Sequence, residues 1–157
     1  MTFIVVFMRK LIRKIWRALP AGLRSIAIRV SQDKFTLSVA AVIIDDKNRV
    51  LVLDHVLRPK SGWGIPGGFV EHGEQPLQAI RREIKEETNI ELVNPTIYCV
   101  RTLGRHIEII FTAEPKGEVS LNSSEIIGFE WFDPELLPEE MNSGQKHLIR
   151  KVLNSTD

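Results

Sequence analysis

The sequence predicts an α/β layered sandwich preceded by a basic amphipathic helical arm, and three observations lead there. The 157 residues suit one domain of ordinary size, able to bury roughly two-thirds of its unfolded surface without a disulfide or a structural metal. Segments rich in β-branched residues and segments with helical periodicity follow one another without regular alternation, which favours layered α/β packing over a doubly wound parallel sheet. Charge divides the chain. Residues 1–34 carry eight basic side chains against Asp33, a net +7, whereas residues 35–157 carry 13 basic and 19 acidic ones, a net −6. The reading is an arm over 1–34 and a domain over 35–157.

In the arm, Ile4, Met8, Leu11, Ile12, Ile15, Trp16 and Leu19 recur at helical spacing, and Arg9, Lys10, Arg13, Lys14 and Arg17 cover the other side. Pro20 and Gly22 are expected to end this helix, and Leu23, Ile26, Ala27 and Val30 to form a second short one. Residues 35–43 and 49–56 read as an antiparallel pair of strands around Asp45, Asp46, Lys47 and Asn48. From Pro59 to Gly73, five glycines and two prolines predict loop with at most short strands. A helix follows over 76–88, with Gln75 as its cap, Pro76 suited to its first position and Asn89 to a left-handed end. Strands are expected at 96–103 and 106–113, a turn at Pro115 and Gly117, a strand near 127–132, and a closing helix over 145–153.

Composition narrows the class. A chain 43% hydrophobic and 26% charged is a soluble globular one. The acidic domain argues against general nucleic-acid binding. Phe3 to Met8 is an apolar run too short for a membrane span, and its positive charges follow it, the reverse of a secretory signal. The single cysteine, Cys99, excludes an intrachain disulfide and a cysteine metal cluster, and fits a reducing, intracellular setting.

The 76–88 helix is the informative element. At roughly 100° per residue, Glu86 falls about 60° to one side of Glu83 and Glu87 about 40° to the other. Leu77, Ile80 and Ile84 form the adjoining apolar sector; Gln78, Arg81 and Lys85 face away. Three like charges at spacings of three and four repel by a few tenths of a kcal/mol per pair. A sequence built only for stability would intersperse lysines, whereas a hard divalent cation turns the cluster into a binding site.

Before this helix stands a glycine-rich loop. The spacing is Gly68, five residues, Glu74, seven residues, then Arg82-Glu83-Ile84-Lys85-Glu86-Glu87-Thr88-Asn89-Ile90. This resembles the signature of the Nudix hydrolases, with Asn89 where the family has glycine; Trp63-Gly64-Ile65-Pro66-Gly67 resembles the usual lead-in. The resemblance extends loosely over 36–153 and leaves 1–34 uncovered. It implies a Nudix-type α/β/α sandwich with a mixed sheet, and Mg²⁺-dependent hydrolysis, with Mn²⁺ as substitute, of the diphosphate linkage of a nucleoside diphosphate derivative. It further implies that Glu83, Glu86 and Glu87 are catalytic metal ligands, that the Gly68 carbonyl is another ligand, and that Glu74 and Arg82 orient loop against helix. Clustered metal ions neutralise diphosphate oxygens, activate water and stabilise the leaving group.

Other candidates follow. Glu125 precedes a strand where family members often place a ligand or general base. Arg58, Lys60, Arg101 and Arg105 are candidate phosphate contacts. Trp63 and Phe69 are suited either to stacking a nucleobase or to core packing. His72 occupies a position that the signature leaves free. The competing functions are a catalytically silent Nudix-fold ligand-binding regulator, which the intact carboxylate cluster opposes, and a membrane-peripheral hydrolase of a non-nucleotide diphosphate, which only the basic arm favours. The expected partner is a small nucleotide substrate and no nucleic acid. Residues 4–19 read as a surface for packing on the domain, for homodimer formation, for peripheral membrane contact or for organelle targeting. The expected location is cytoplasmic, with peripheral membrane attachment as the alternative.

Overall fold

The apolar runs of the first two strands, β1 (Thr36–Ile43) and β2 (Val50–His55), are buried on both faces, and this decides the architecture. Alternation sends Val39, Ala41 and Ile43 of β1 to one core and Ala40 and Val42 to another. Leu51 and Leu53 of β2 join the first core, Val50 and Val52 the second. A strand buried on both sides needs cover on both sides. The protein is a computed structural model that describes residues 2–58 and 61–155, with side chains from Val5 onward; Lys60 and the Ile4 side chain lie outside the described residues.

The remaining strands are β3 (Trp63–Gly64), β4 (Gly67–Phe69), β5 (Glu91–Leu103), β6 (His106–Lys116) and β7 (Ile126–Phe132). They form a four-stranded sheet ordered β4-β1-β6-β5 and a three-stranded sheet ordered β3-β2-β7. β1 pairs parallel with β6 and antiparallel with β4, so the sheet is mixed. Ala79, Ile80 and Ile84 of helix α3 (Pro76–Thr88) pack into the first core. Leu148, Ile149 and Val152 of helix α4 (Ser143–Leu153) fill the second. The result is an α/β/α sandwich.

The chain divides into two units, Met1–Lys34 and Phe35–Asp157. The first holds α1 (Thr2–Ala18) and α2 (Ala21–Ser31). Pro20 stands at the start of α2, and Gly22 lies inside that helix instead of between the two.

Four expectations are corrected. β1 and β2 flank the expected turn, where Asp45 accepts from the backbone N–H groups of Lys47 (3.0 Å) and Arg49 (2.8 Å). They share only the bridge Ile44↔Val50 and then diverge into different sheets, because β1 finds its long ladder with β6. β5 starts at Glu91, not 96, because the edge strand absorbs Asn94 (φ 47°) and Pro95 in a register shift between Val93 and Thr96. Pro115 lies within β6, which continues to Lys116, so it does not turn the chain. Helix α4 also begins two residues early, where the Asn142 side chain accepts from Gly144 N–H at 2.8 Å.

Candidate active site

Helix α3 is bounded as its sequence requires. The Gln75 N–H donates to Gln78 Oε1 at 3.0 Å at its start, and Asn89 at φ 58° ends it in the left-handed conformation. Arg82, on the carboxylate side, ties helix to loop. Its Nε and Nη2 donate to the two oxygens of Glu74 at 3.0 and 2.9 Å, a bidentate pair. Nη2 also reaches the Phe69 carbonyl at 3.1 Å, and Nη1 reaches Glu83 at 2.9 Å and Glu86 at 3.3 Å. Glu74 in turn accepts the Glu71 N–H at 3.1 Å. The Glu74 hydrogen bonds raise the Arg82 pKa, and the same bonds lower that of Glu74.

The loop glycines fit against the carboxylates. A Cβ on Gly68 would collide with the carboxylate of Glu83, and one on Gly67 (φ 144°) with the Val39 carbonyl. Gly67 uses this close approach to donate its N–H to Glu87 Oε2 at 3.0 Å. Glu87 is an ionisable side chain only 8% exposed. Its pKa is pushed up to about 8 by burial first; the Gly67 N–H and Arg58 oppose this, while the charges of Glu83 and Glu125 add to it. Beside it, His55 Nδ1 lies 3.8 Å from Glu87 Oε1. Burial, and then the Arg58 charge, lower the His55 pKa to about 3, and its Nε2 is buried without a hydrogen-bond partner. The Glu83 carboxyl is also raised, chiefly by burial, against the pull of Arg82.

Next to this cluster opens a cleft of about 590 Å³, which shares Gly67 and Gly68 with it. Arg58, Trp63, Phe69 and Arg101 line the cleft, together with Ser38, His106, Glu108, Asn142 and Gln145. Phe69 is 64% exposed and meets His106 edge-to-face at 6.0 Å. Trp63 makes a T-shaped contact with Phe132 at 5.4 Å and joins the α4-side core, while also lining the cleft. Arg58 is largely buried and donates to the Ile65 carbonyl at 2.8 Å. Arg101 is paired with Glu108 at 2.5 Å.

The structure therefore brings together Gly68, Glu74, Arg82, Glu83, Glu86 and Glu87, and sets Arg58, Trp63, Phe69 and Arg101 in the adjoining cleft. Glu125 is exposed in the loop before β7, within electrostatic reach of Glu87. Arg105 sits in the β5–β6 turn and is not part of the cleft lining, and exposed His72 is likewise outside it. Sequence reasoning passed over His55, Glu108, His106 and Gln145. His106 holds Thr36 and Ser38 hydroxyls at 2.7 and 2.8 Å, and Gln145 accepts the Ile65 N–H at 3.2 Å. None of these carries a local signal, because register and tertiary packing alone bring His106, Glu108 and Gln145 to the cleft and His55 to Glu87.

The donor set of α3 suits a hard divalent cation: carboxylate oxygens held close enough that their mutual repulsion helps keep a proton on Glu87. As arranged, no three His, Cys, Asp or Glu side chains among the described residues converge on one ion; Arg82 stands between Glu83 and Glu86. Glu86, whose side chain is 59% exposed and whose bond to Arg82 is the longest that Arg82 makes, is the carboxylate freest to turn.

Comparison with known proteins agrees with this fold. The family model described as NUDIX domain matches residues 34–152. A MutT-like protein of Streptomyces ambofaciens is 32% identical over 109 residues, covering 68% of this chain and 69% of that protein. The 8-oxo-dGDP phosphatase of Mus musculus is 29% identical over 130 residues, but this chain spans only 40% of its length. Among solved structures, a MutT NUDIX hydrolase from Burkholderia pseudomallei superposes with a TM-score of 0.68 at 26% identity, covering 76% of this chain and 98% of that one.

Proposed function

From its membership of the Nudix family, to which this chain belongs, we propose that this pyrophosphate hydrolase cleaves the diphosphate linkage of a nucleoside diphosphate derivative in a divalent-cation-dependent reaction. Glu83, Glu86, Glu87 and the Gly68 carbonyl would hold the cation, Mg²⁺ with Mn²⁺ as substitute. When bound, it supplies charge neutralisation of the diphosphate and acidification of water. The observation that carries the reading is the junction at Gly67 and Gly68, where the α3 carboxylates meet a cleft that holds Arg58 and an exposed Phe69.

This chain's own residues have separable tasks. Arg82 and Glu74 fix the loop against α3, so that the Gly67 N–H and the Glu83 carboxylate keep their places. Arg58, half-buried in the cleft lining, offers positive charge to phosphate oxygens, and Phe69 offers a ring face to a base. Glu125 is the proton acceptor for the attacking water, with a glutamate of α3 as the alternative. Because relatives are named for 8-oxo-dGDP and, in Proteus vulgaris, 8-oxo-dGTP, oxidised guanine nucleotides are the first substrates to try.

The test is a panel of 8-oxo-dGDP, 8-oxo-dGTP, unmodified nucleoside triphosphates, ADP-ribose and nucleotide sugars, incubated with Mg²⁺ or Mn²⁺ in ¹⁸O-labelled water. The expected result is cation-dependent cleavage of one diphosphate, with a single label in the product phosphates. Absence of cleavage across the panel, or cleavage indifferent to a chelator, overturns the proposal.

A further inference from the structure

Every described side chain of α1 from Val5 to Ala18 is exposed, and α2 buries none of its residues. At about 100° per residue, Phe7, Met8, Leu11, Ile12, Ile15 and Trp16 fall within about half of the α1 cylinder. Arg9, Lys10, Arg13, Lys14 and Arg17 occupy most of the other half, with Val6 among them. No acidic residue precedes Asp33. The apolar half is wide enough to bury and has nothing within its own unit to bury it.

Two requirements select the occupant. It must offer apolar matter to one half of the helix and negative charge to the other. A nucleic acid supplies the charge but nothing for Leu11, Ile12 and Ile15. A protein groove supplies apolar cover, but nothing in that cover calls for five cations with no intervening acid. An anionic bilayer surface supplies both, since acyl chains meet the apolar half and headgroups meet its basic flanks. Trp16 falls at the border of the two sectors, close to Arg9, where an aromatic ring at headgroup depth is favoured. No helix among the described residues is long and apolar enough to cross a membrane, so the helix lies in the surface and does not span it.

We propose that α1 is an interfacial anchor that docks this protein on an anionic lipid surface. The proposal is independent of the substrate reading, because its measurement involves no catalysis. The full chain is sedimented with vesicles of phosphatidylcholine alone and of phosphatidylcholine mixed with phosphatidylglycerol, at low and high salt, while Trp16 emission is followed against a Trp16→Phe control. Sedimentation is expected with the anionic vesicles at low salt, with a blue shift that the control lacks. Binding should weaken with salt, and by about fivefold for each of Arg13→Ser and Arg17→Ser. Leu11→Gln with Ile15→Gln should abolish the blue shift. Protein left in the supernatant with anionic vesicles overturns the proposal. So does equal binding to neutral vesicles, or a stable oligomer in which Trp16 emission is already blue-shifted before vesicles are added.

Discussion

Helices α1 and α3 are both amphipathic, and they use their two faces in opposite ways. α3 sinks Ala79, Ile80 and Ile84 completely and draws even Glu87 and Thr88 under cover. Its charged face is held to a loop by Arg82, Glu74 and the Gly67 N–H. α1 leaves its described apolar residues exposed and carries charge of one sign. Amphipathicity alone therefore assigns no role; what matters is whether each face has found its partner inside the fold. In α3 the apolar face is satisfied beyond Leu77, which is exposed in the first turn, and the acidic face is poised, which is the condition for a site. In α1 neither face is satisfied, which is the condition for an attachment surface.

The sharpest way to break this contrast is to neutralise the poised face. Glu87→Gln keeps an acceptor for the Gly67 N–H but removes an ionisable carboxyl. Turnover with Mg²⁺ should fall by more than the roughly hundredfold loss typical when a group that only supports a metal ligand is removed. Metal-free thermal stability should stay level or rise. A variant with near-normal turnover in a steady-state assay would return α3 to the status of a merely acidic helix. Next in size is the apolar face. Ile84→Ala should cost about 3 kcal/mol in urea unfolding, because the fully buried side chain leaves a cavity between α3 and the sheet.

The tie between the faces comes third. Arg82→Lys retains the charge but loses the fork that binds both Glu74 oxygens. Activity or cation affinity should drop by about 10- to 100-fold, as for other groups that orient ligands. Isothermal titration with Mn²⁺ would separate loss of affinity from loss of rate.

How far this contrast could be read from the chain depends on the range of the forces involved. Pro76 and Asn89 bound α3 by local backbone preference, so its limits were legible to the residue. The glutamate triplet was legible because helical geometry follows from spacing. The division of β1 and β2 between two sheets was not, since Asp45 to Asn48 make a real turn and only the parallel ladder from β1 to β6, about 70 positions away, pulls the strands apart. His55 was invisible for the same reason: within an apolar strand it looks like filler until α3 brings Glu87 beside it. Asn94 and Pro95 suppressed the start of β5, because propensity cannot tell that an edge strand tolerates a bulge there. Arg101 was legible as a cation, but its neutralising partner Glu108 depends on hairpin register.

A smaller effect comes from protons on the chelator-treated protein. Glu87 is raised from 4.5 to about 8 mainly by burial. The folded state thus keeps a proton that the unfolded chain releases, and stability should fall as pH rises from about 4.5 towards 8. His55 is lowered from 6.5 to about 3, again mainly by burial. There the unfolded chain gains a proton that the folded state refuses, so stability should also fall as pH drops below about 6.5. The metal-free protein should be most stable between these limits. Glu87→Gln should flatten only the alkaline side of a melting-temperature profile, and loss of both slopes or neither would refute the assignment.

The smallest expected effect tests the other helix. Ile15→Ala removes the same kind of side chain as Ile84→Ala, but from a residue that is 55% exposed instead of fully buried. Cavity formation is the main cost of such truncations, and an exposed side chain leaves no cavity. The change in urea unfolding free energy should therefore lie within about 0.5 kcal/mol of zero, against about 3 kcal/mol for the α3 variant. Propensity pulls the same way, since alanine is the better helix former and offsets the little packing that the truncation removes. If Ile15→Ala instead cost as much as Ile84→Ala, the apolar half of α1 would be buried in solution, and the two helices would differ only in the sign of their charge.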